Sequence, residues 1–424
     1  MLRAMGAAAL LPAAAPLAAC GGDGDGANSG ESTLTFVYYG DAQLQKSYTT
    51  LFKQFSDENP HIKLRAQGIP GDSWAGFANA VATRIAGGQP LDVVQIATEG
   101  QRIFASKGLL EPLDPYVKKD QAAVDDYFKD VPEALKKWTD HYAASDGKTY
   151  YIPGSYNTVA MHVNTDLFTK AGLEIPTDEW SWDDLRSAAE VIKKKTGAYI
   201  MPAGNSYFAE VMPWLLTNGA SPIDADWKTA TFDAPAAIEA AEFVRSLVVD
   251  GLAPKPGGTF DAATLMRQGK LACMAGGRWL ANGLRTVKFV DPVTLVRFPQ
   301  KTQTGTPLGW DAWPILKQSK NKDAAWTLIK FFMSKKFGDA LVQNGTAAVP
   351  ARASVATSAA FLEDAPKNTE LLSSILDEST PIPGPDRGAE TQAAIEEAWL
   401  AAVSGTKAPA TALGEANAKL EQLL

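Results

Sequence analysis

Cysteine and histidine are scarce in this chain of 424 residues, which has two cysteines and three histidines. Two cysteines, Cys20 and Cys273, are too few for a disulfide scaffold or for a zinc site with four thiolate ligands. Three histidines leave little material for a histidine-rich metal centre. The sequence therefore predicts no metal and no cofactor, and we expect Cys273 to be a small buried hydrophobe.

Long apolar runs and an excess of positive charge are also missing. No uncharged apolar stretch reaches the roughly 20 residues needed to cross a bilayer as a helix, so a protein with several membrane spans is excluded. The net charge is −8, whereas nucleic-acid-binding proteins usually concentrate positive charge. Hydrophobic residues form 46% of the chain and charged residues 21%, a balance typical of globular domains.

Motifs of common enzymes are missing as well. The chain has no Gly-x-Ser-x-Gly turn, no phosphate-binding loop, no dinucleotide-binding fingerprint and no His-Glu-x-x-His pair. Adjacent acids such as Asp183-Asp184 and Glu396-Glu397 fall on predicted surface helices, where a solvated face explains them. A glycosidase needs two carboxylates assembled across the fold, and the sequence leaves that alternative open. It favours a protein that binds over one that catalyses.

The first 31 residues predict export and anchoring. After Arg3 the chain carries no charge up to Cys20, which indicates a signal peptide over residues 1–19. Leu17-Ala18-Ala19-Cys20-Gly21 resembles a bacterial lipobox, in which the cysteine is lipidated and becomes the mature N-terminus. Residues 20–31 are rich in glycine, so we expect a lipidated Cys20 followed by a flexible tether.

Predicted strands alternate with amphipathic helices along the rest of the chain. This alternation predicts an α/β fold with a mostly parallel sheet covered on both faces. The predicted strands include residues 34–39, 62–69, 91–96, 159–163 and 271–274. The predicted helices include one around 48–55, one capped by Ser73, one opening at Glu99, one capped by Ser181, then 235–249, 323–342 and two C-terminal pieces separated by 405–409.

Several aromatic residues fall in glycine- or proline-marked turns at the ends of predicted strands. These are Tyr39, Tyr156, Trp279 and Trp310. In open α/β sheets, ligands bind outside the carboxyl ends of the strands. Flat rings suit the apolar face of a sugar, and acids, amides and arginines suit its hydroxyls. Core packing is the alternative for each ring alone, but the joint pattern favours a carbohydrate site.

A series of segments in a fixed order carries a family resemblance. They are the lipobox, Leu91-Asp92-Val93-Val94, Tyr151-Ile152-Pro153, residues 162–168, 180–185, 269–274 and 322–326, and Val349-Pro350-Ala351-Arg352. Together they resemble the solute-binding lipoproteins of bacterial ABC sugar importers, the large family that includes maltose-binding protein. The resemblance covers essentially the whole mature chain.

The resemblance implies a two-lobed periplasmic-binding-protein-like fold of type II, with discontinuous lobes joined by a hinge. The N-terminal lobe would comprise residues 32–153 plus 300–355, and the C-terminal lobe 154–299 plus 356–424. The ligand would lie between the lobes, which close around it.

The resemblance also implies which residues bind the ligand. Core packing is an equal alternative for Trp214 and Asn218, and stabilisation by the helix dipole is the alternative for Glu99. Asn157 stands where maltose-binding protein has a glutamate, a departure that argues against the same oligosaccharide. The predicted ligand-binding residues are Tyr39, Asp41, Glu99, Tyr156, Asn157, Trp214, Asn218, Trp279, Trp310, Asp311 and Arg352.

The function implied is that of a lipid-anchored, monomeric receptor outside the cell membrane. It would capture a mono- or oligosaccharide and deliver it to permease subunits in the membrane, without covalent chemistry. The first alternative is a different solute, such as a glycerol phosphate, a uronate or a polyamine. An acidic solute would need converging cations, for which Arg278 and Arg352 are the candidates. A surface glycosidase or adhesin, and a sensor partner for a kinase, are further alternatives.

Overall fold

The computed structural model describes residues 32–40, 42–71, 73–143, 146–257 and 261–424. The predicted signal peptide, Cys20, the tether and Asp41 lie outside the described residues. The strands are β1 (Ser32–Tyr39), β2 (Ile62–Ile69), β3 (Val93–Val94), β4 (Ile96–Ala97), β5 (Leu110–Glu111), β6 (Ile152–Asn157), β7 (Ala160–Asn164), β8 (Cys273–Gly276), β9 (Val293–Val296), β10 (Thr306–Trp313), β11 (Ile315–Leu316), β12 (Val349–Pro350) and β13 (Ser379–Pro381).

Helices make up most of the remaining regular structure. No helix in the described ranges has the length and apolar character required to traverse a bilayer. A π-helical turn covers Tyr207–Val211, and a 3₁₀ turn covers Leu376–Glu378. The α-helices are α1 (Ala42–Glu58), α2 (Trp74–Ala86), α3 (Thr98–Ser106), α4 (Asp114–Lys119), α5 (Gln121–Lys129), α6 (Glu133–Ala143), α7 (Thr165–Ala171), α8 (Trp182–Thr196), α9 (Met212–Thr217), α10 (Pro235–Val249), α11 (Ala262–Arg267), α12 (Leu280–Thr286), α13 (Lys322–Met333), α14 (Lys335–Gln343), α15 (Ala353–Ala356), α16 (Ala359–Leu362), α17 (Leu371–Ser374), α18 (Gly388–Val403) and α19 (Pro409–Leu420).

The first lobe is built on a five-stranded sheet in the order β2-β1-β3-β11-β5. Strand β1 is parallel to β2 and β3, and β11 is antiparallel to its neighbours. Phe36 packs on one face against Phe332, with ring centroids 5.0 Å apart, whereas Val37 packs with Phe77 in the core on the other face. Successive strand residues point to opposite faces, so both faces are covered, and the predicted mostly parallel sheet is confirmed here.

The second lobe has a smaller sheet in the order β8-β7-β9, and both of its pairings are antiparallel. The parallel pattern expected from the strand–helix alternation therefore does not extend to this lobe. Its largest core packs helices α8, α10, α18 and α19 around buried tryptophans Trp182, Trp214 and Trp399. The C-terminal helices thus return to the second lobe after the chain has crossed the first.

A third sheet, β12-β6-β10-β13, lies where the chain passes between the two lobes. Strands β6 and β10 are antiparallel, and β4 of the first lobe also pairs with β10. Leu371 and Leu372, which fall in the predicted C-terminal lobe, pack in the core of the first lobe. The exact boundaries of the lobes stay predictions.

Local signals in the sequence account well for several element ends. The hydroxyl of Ser73 caps α2 by accepting from the Gly76 N–H, and Ser181 and Asp184 form the predicted capping box. The predicted single helix over 323–342 is wrong, because Ser334 adopts an extended conformation and caps α14 instead of continuing α13. The C-terminal helix pair, α18 and α19, is confirmed.

Candidate functional site

An aromatic group stands at the carboxyl edge of the first-lobe sheet. Tyr39 ends β1, and its hydroxyl donates to the Gly71 carbonyl at 2.7 Å. The Tyr39 ring lies 4.5 Å from that of Trp74 and 5.7 Å from that of Phe77, at the start of α2. Because β1, β2 and β3 are parallel, their carboxyl ends share this edge, where open α/β sheets bind ligands. Trp74 and Phe77 therefore join the predicted Tyr39 there.

Glu99 lies near this edge, in the first turn of α3. Its side chain is buried, with 8% of the residue exposed. Burial raises the pKa of Glu99 to about 7, and the negative charge of Glu396 also raises it, against a lowering by its own backbone N–H. No other described residue hydrogen-bonds this carboxylate. Its own backbone N–H is thus the donor given to this carboxylate, and a carboxylate can accept several hydrogen bonds, so Glu99 has capacity for a ligand.

The second lobe carries two further rings near the strands that link the lobes. Phe208 lies in the π-helical turn and Trp279 follows β8, with ring centroids 5.9 Å apart. A Cβ at Gly277 would lie 2.4 Å from the Trp279 ring, so this glycine allows the ring to fold back over its turn. A Cβ at Gly309 of β10 would lie 3.2 Å from the Phe208 ring. Phe208 therefore borders β10, one of the strands that link the lobes, and Trp279 packs beside it.

The sequence analysis missed Phe208, because π-helical turns have no simple apolar period to signal them. Such turns occur frequently at functional sites. The sequence analysis also did not name Trp74 among the ligand-binding residues, because its spacing alone assigns it to the apolar face of α2. Its position on the first turn of that helix is the signal that it reaches the sheet edge.

The two lobes touch through the first turn of α3. A Cβ at Gly384 would lie 2.6 Å from the Thr98 carbonyl oxygen, and one at Gly388 would lie 2.6 Å from that of Glu99. Glycine is thus required at both positions for this close approach. The lobes also meet where Tyr142 of α6 stacks on Trp227, with centroids 4.2 Å apart and planes 14° apart.

Acids of the second lobe approach Glu99 across this contact. Glu396 of α18 accepts hydrogen bonds through Oε1 from the Tyr207 N–H and the Gln392 amide, both at 2.9 Å. Glu210, in the π-helical turn, accepts from the Ser206 N–H at 3.1 Å. Burial raises the pKa of Glu210, and the charge of Glu396 raises it further. Three carboxylates therefore share this part of the interface.

Three predicted aromatic residues lie in hydrophobic cores. Tyr156 and Trp310, paired across β6 and β10, belong to the core of the first lobe and are 3% and 1% exposed. Trp214 belongs to the core of the second lobe, where it lies 4.7 Å from the ring of Phe298. These positions give all three a packing role, and their ligand-binding roles stay predictions.

Two predicted charged residues have protein partners. Asp311 is 5% exposed and accepts from the Gln95 amide at 2.6 Å and from the Ser155 hydroxyl. Burial raises the pKa of Asp311, and those two hydrogen bonds oppose the rise.

Arg352 is held in the same manner. Its guanidinium donates to the Met333 carbonyl at 2.7 Å, to Asp130 at 3.1 Å and to Asp126 at 2.9 Å. It also lies over the ring of Tyr127, 5.2 Å from its centroid. The structure therefore places Arg352 in an ion-pair network of the first lobe, and its predicted contact with ligand stays a prediction.

The two predicted asparagines brace turns. Asn157 accepts from the Arg278 N–H at 3.0 Å and donates to the Ala347 carbonyl at 3.3 Å. It thereby fixes the turn that carries Trp279. Asn218 donates to Glu239 and to the Ala236 carbonyl. Of the predicted residues that are described, Tyr39 lies at the sheet edge of the first lobe, Glu99 at the contact between the lobes and Trp279 beside Phe208 of the second lobe, and their ligand-binding roles stay predictions.

Two small cavities lie outside the candidate site. Each holds about 10 Å³, which is room for about one water molecule. One lies beside Arg297 and Glu378, and the other lies beneath β6 beside Tyr127 and Arg352. In the described ranges, no group of three or more His, Cys, Asp or Glu side chains is arranged to hold a metal ion.

Comparisons with known proteins agree with this architecture. Residues 41–338 match the sequence profile of the bacterial extracellular solute-binding proteins. A binding protein of Brucella abortus is 29% identical over 343 residues, covering 75% of each chain. The arabinooligosaccharide-binding protein of Bacillus subtilis is 23% identical over 339 residues, covering 76% of this chain and 74% of that protein.

A solved structure shows the same fold. The ABC substrate-binding protein of Listeria monocytogenes in complex with cycloalternan superposes with a TM-score of 0.79. The two sequences are 24% identical, and the match covers 93% of this chain and 99% of that chain. The predicted two-lobed α/β fold is therefore confirmed. Together with the profile match, it shows that the chain belongs to the bacterial extracellular solute-binding protein family.

Proposed function

We propose that this protein captures a sugar between its two lobes and delivers it to the permease of an ABC importer, without chemical change to the sugar. The observation that carries the proposal is a pair of aromatic rings on each lobe near the contact between the lobes. Tyr39 and Trp74 form one pair, Phe208 and Trp279 form the other, and Glu99 lies at the contact itself. Rings that pack on C–H faces and an acid that accepts from hydroxyls suit a polyhydroxylated guest.

The contacts between the lobes support capture by closure. The interface formed by α3 with Gly384 and Gly388 is close-packed, and Tyr142 stacks on Trp227. A sugar can enter only when these surfaces separate, and contacts made on closure then hold it from both sides. The affinity is the sum of ligand contacts and lobe contacts, less the cost of leaving the open state.

The proposal includes a location and partners. The segment that resembles a lipobox supports lipidation at Cys20, which anchors the protein to the outer face of the cell membrane. Two homologues bind the sugars named for them, an arabinooligosaccharide and cycloalternan. A receptor of this kind acts as a monomer that presents its closed lobes to permease subunits, while ATP is hydrolysed by another chain.

An acidic solute is the less favoured alternative. Arg352 is paired with Asp126 and Asp130. Arg278 is 3% exposed and donates to the Phe361 carbonyl at 3.2 Å. The acids at the lobe contact would repel a phosphate or a uronate. A glycosidase role finds no support either, because the homologues are binding proteins.

The test is a screen of solutes against the full chain. Intrinsic tryptophan fluorescence and thermal shift are recorded with mono- and oligosaccharides, glycerol 3-phosphate, galacturonate, amino acids and spermidine. We expect a saturable response to one class of sugar and none to the acidic solutes. A response to a non-sugar solute alone would overturn the assignment, and hydrolysis of aryl glycosides would establish an enzyme.

A further inference from the structure

We infer, on the basis of the proposed function, that Arg278 is a positioning residue. Through its bond to the backbone of Phe361, it holds the ring of Trp279 in the orientation that stacks on the sugar. Arg278 directly precedes Trp279 in the turn after β8, and the arginine is 3% exposed. It therefore contributes to the site through its neighbour rather than by its own contact with the ligand.

The ring of Trp279 rests on the backbone of its own turn. A Cβ at Gly277 would lie 2.4 Å from the Trp279 ring, and one at Gly276 would lie 3.2 Å from it. The ring therefore packs closely on the two residues that precede Arg278. Because close-packed groups transmit displacements to one another, a shift of this backbone also shifts the ring.

The side chain of Arg278 fixes the turn against the core of the first lobe. Its guanidinium donates through Nη2 to the Phe361 carbonyl at 3.2 Å, and its Cζ lies 4.8 Å from the centroid of the Phe361 ring. Phe361 lies on α16 and is fully buried in that core. The arginine thus joins the turn that carries Trp279 to a residue that is itself held by tight packing.

The backbone of Arg278 is held from the same direction. Its N–H donates to Asn157 Oδ1 at 3.0 Å, and the Asn157 amide donates to the Ala347 carbonyl at 3.3 Å. A Cβ at Gly277 would lie 2.6 Å from Asn157 Oδ1, so glycine lets the turn approach this amide. Ala347 belongs to the segment 345–364, whose strand β12 pairs with β6. Both the backbone and the side chain of Arg278 therefore connect to this segment.

Helix α12, which follows the turn, makes further bonds to the same segment. Asn282 donates to the Gly345 carbonyl at 3.2 Å. Arg285 donates to the Asp364 carbonyl at 2.6 Å and to the Glu363 carbonyl at 3.3 Å. These acceptors are backbone carbonyls, as is that of Phe361, so the side-chain donors align the turn and α12 with the main chain of the segment 345–364.

Packing alone does not account for an arginine at this position. Burial lowers the pKa of Arg278 to about 10, and the charge of Arg285 lowers it further, against a rise due to Asp364. Within the part of the chain that the structure describes, its Nε and Nη1 have no hydrogen-bond partner. A buried charge with incomplete partners destabilises a protein. The charge-assisted bond to the Phe361 carbonyl is therefore the contribution that an apolar side chain could not make.

The first measurement follows the ring of Trp279 in the absence of sugar. The full chain is labelled with 5-fluorotryptophan, and the fluorine resonance of Trp279 is identified by its loss in Trp279→Phe. Arg278→Met keeps an unbranched side chain over Phe361 but removes the donor, so we expect the Trp279 resonance to shift and broaden. Arg278→Lys keeps a donor and should return the resonance close to its original position.

A control variant shows whether the effect is specific to this contact. Arg186 donates to the Ser246 hydroxyl at 2.9 Å and joins α8 to α10 in the second lobe. Arg186→Met should leave the Trp279 resonance unchanged. Circular dichroism establishes that each variant folds, and Arg278→Gln, whose shorter side chain also loses the bond to Phe361, replaces Arg278→Met if the latter does not fold.

The second measurement is a double-mutant cycle. Maltotriose, arabinotriose and mannotriose are titrated by calorimetry, and for at least one of them Arg278→Met should weaken binding about fivefold and Trp279→Ala about 10-fold. Because Arg278 acts through the ring, the double variant should bind about 10-fold rather than about 50-fold more weakly than the original protein. A merely structural role of Arg278 would make the two losses additive. Arg278→Lys should bind within about twofold of the original protein.

The outcomes separate this inference from the proposed function. A Trp279 resonance that Arg278→Met leaves unchanged, or additive losses in the double variant, overturns the role of Arg278, while binding of a trisaccharide by the original protein leaves the proposed function standing. Binding of no sugar by the original protein overturns both.

Discussion

Asp311 on β10 and Glu99 on α3 are two buried acids with opposite surroundings. They are 5% and 8% exposed, and burial raises the pKa of both. Asp311 accepts from Gln95 and Ser155, which join two neighbouring strands to β10. Glu99 accepts from no other described residue. The first acid has two side-chain donors from neighbouring strands, whereas the donor to the second is its own backbone N–H.

The difference distinguishes an acid held by several side-chain donors from one that keeps accepting capacity, as we propose for a ligand-binding acid. A buried carboxylate that is fully partnered rigidifies its surroundings, and an unpartnered one destabilises the protein until a donor arrives. The same contrast holds for the tryptophans. Trp214 is enclosed in a core, whereas Trp279 is held only partly buried over its own turn. The number of partners, more than the residue type, distinguishes the two roles.

We expect the largest effect, on the free energy of unfolding, from the replacement of Asp311. Asp311→Ala leaves Gln95 and Ser155 without their acceptor, at about 1–3 kcal/mol for each group. We expect the free energy of unfolding to fall by about 4 kcal/mol, measured by urea denaturation. Asp57→Ala, which removes an exposed pair with Lys53, should change it by less than about 0.5 kcal/mol. An unchanged stability with lost binding would move Asp311 to the ligand site.

The raised pKa of Glu99 should make stability depend on pH. Its pKa is about 7 in the folded protein and 4.5 in the unfolded chain, so the folded state binds more protons between these values. Stability is then greatest below pH 4.5 and falls as the pH rises through 7, by about 3 kcal/mol in total. Glu396 and Tyr207 face Glu99 from the other lobe.

The measurement is a series of urea titrations of the unliganded protein from pH 5 to 8. Glu99→Gln should flatten this profile and raise stability at pH 8. A variant profile as steep as that of the original protein would show that other groups cause the dependence. In that case the comparison with Asp311 would lose its main support.

The replacement of Trp279 tests the contrast between a partly buried ring and the rings enclosed in the cores. Trp279→Ala should weaken sugar binding about 10-fold, since it removes a stacking surface worth about 0.5–1.5 kcal/mol together with the apolar area it covers. Thermal stability should change little. Trp138→Ala, a half-buried ring on α6, is the control for affinity in the same calorimetric titration. Equal losses in the two variants would show an indirect effect.

The smallest expected effect is at the contact between Tyr142 and Trp227. Tyr142→Ala removes a stacked ring pair and the hydrogen bond to the Ala225 carbonyl at 3.2 Å. We expect the closed state to lose about 1 kcal/mol, which weakens sugar binding about fivefold without a lost ligand contact. Small-angle scattering should show a larger radius of gyration. Tyr142→Phe should give less than half of this effect, and a 50-fold loss would indicate direct contact with the ligand.

Much of the fold was predictable because its signals are local. The caps at Ser73 and Ser181, the strand Ile62–Ile69 and the C-terminal helix pair depend on residues within a few positions. The order of short segments along the chain predicted the family, and the profile match confirms it. The antiparallel sheet of the second lobe was not predicted, since the direction of a strand pair depends on distant segments.

The candidate site was predictable only in part. Tyr39, Glu99 and Trp279 were named from turns and helix starts, and the structure places them at a sheet edge, at a helix start and beside Phe208, without testing whether they bind a ligand. Asp311 and Arg352 were named in the same manner, but their partners lie 216 and 226 positions away in sequence. Asp41 lies outside the described residues, and its role stays a prediction.

The sequence by itself determined the elements, their caps and the family, because the forces that set these act between neighbours in the chain. Only the tertiary structure decided which donors and charges surround each buried acid. A carboxylate costs or contributes free energy according to the donors and charges around it, and those arrive from both lobes. The surroundings of Asp311 and Glu99 are therefore a property of the assembled fold.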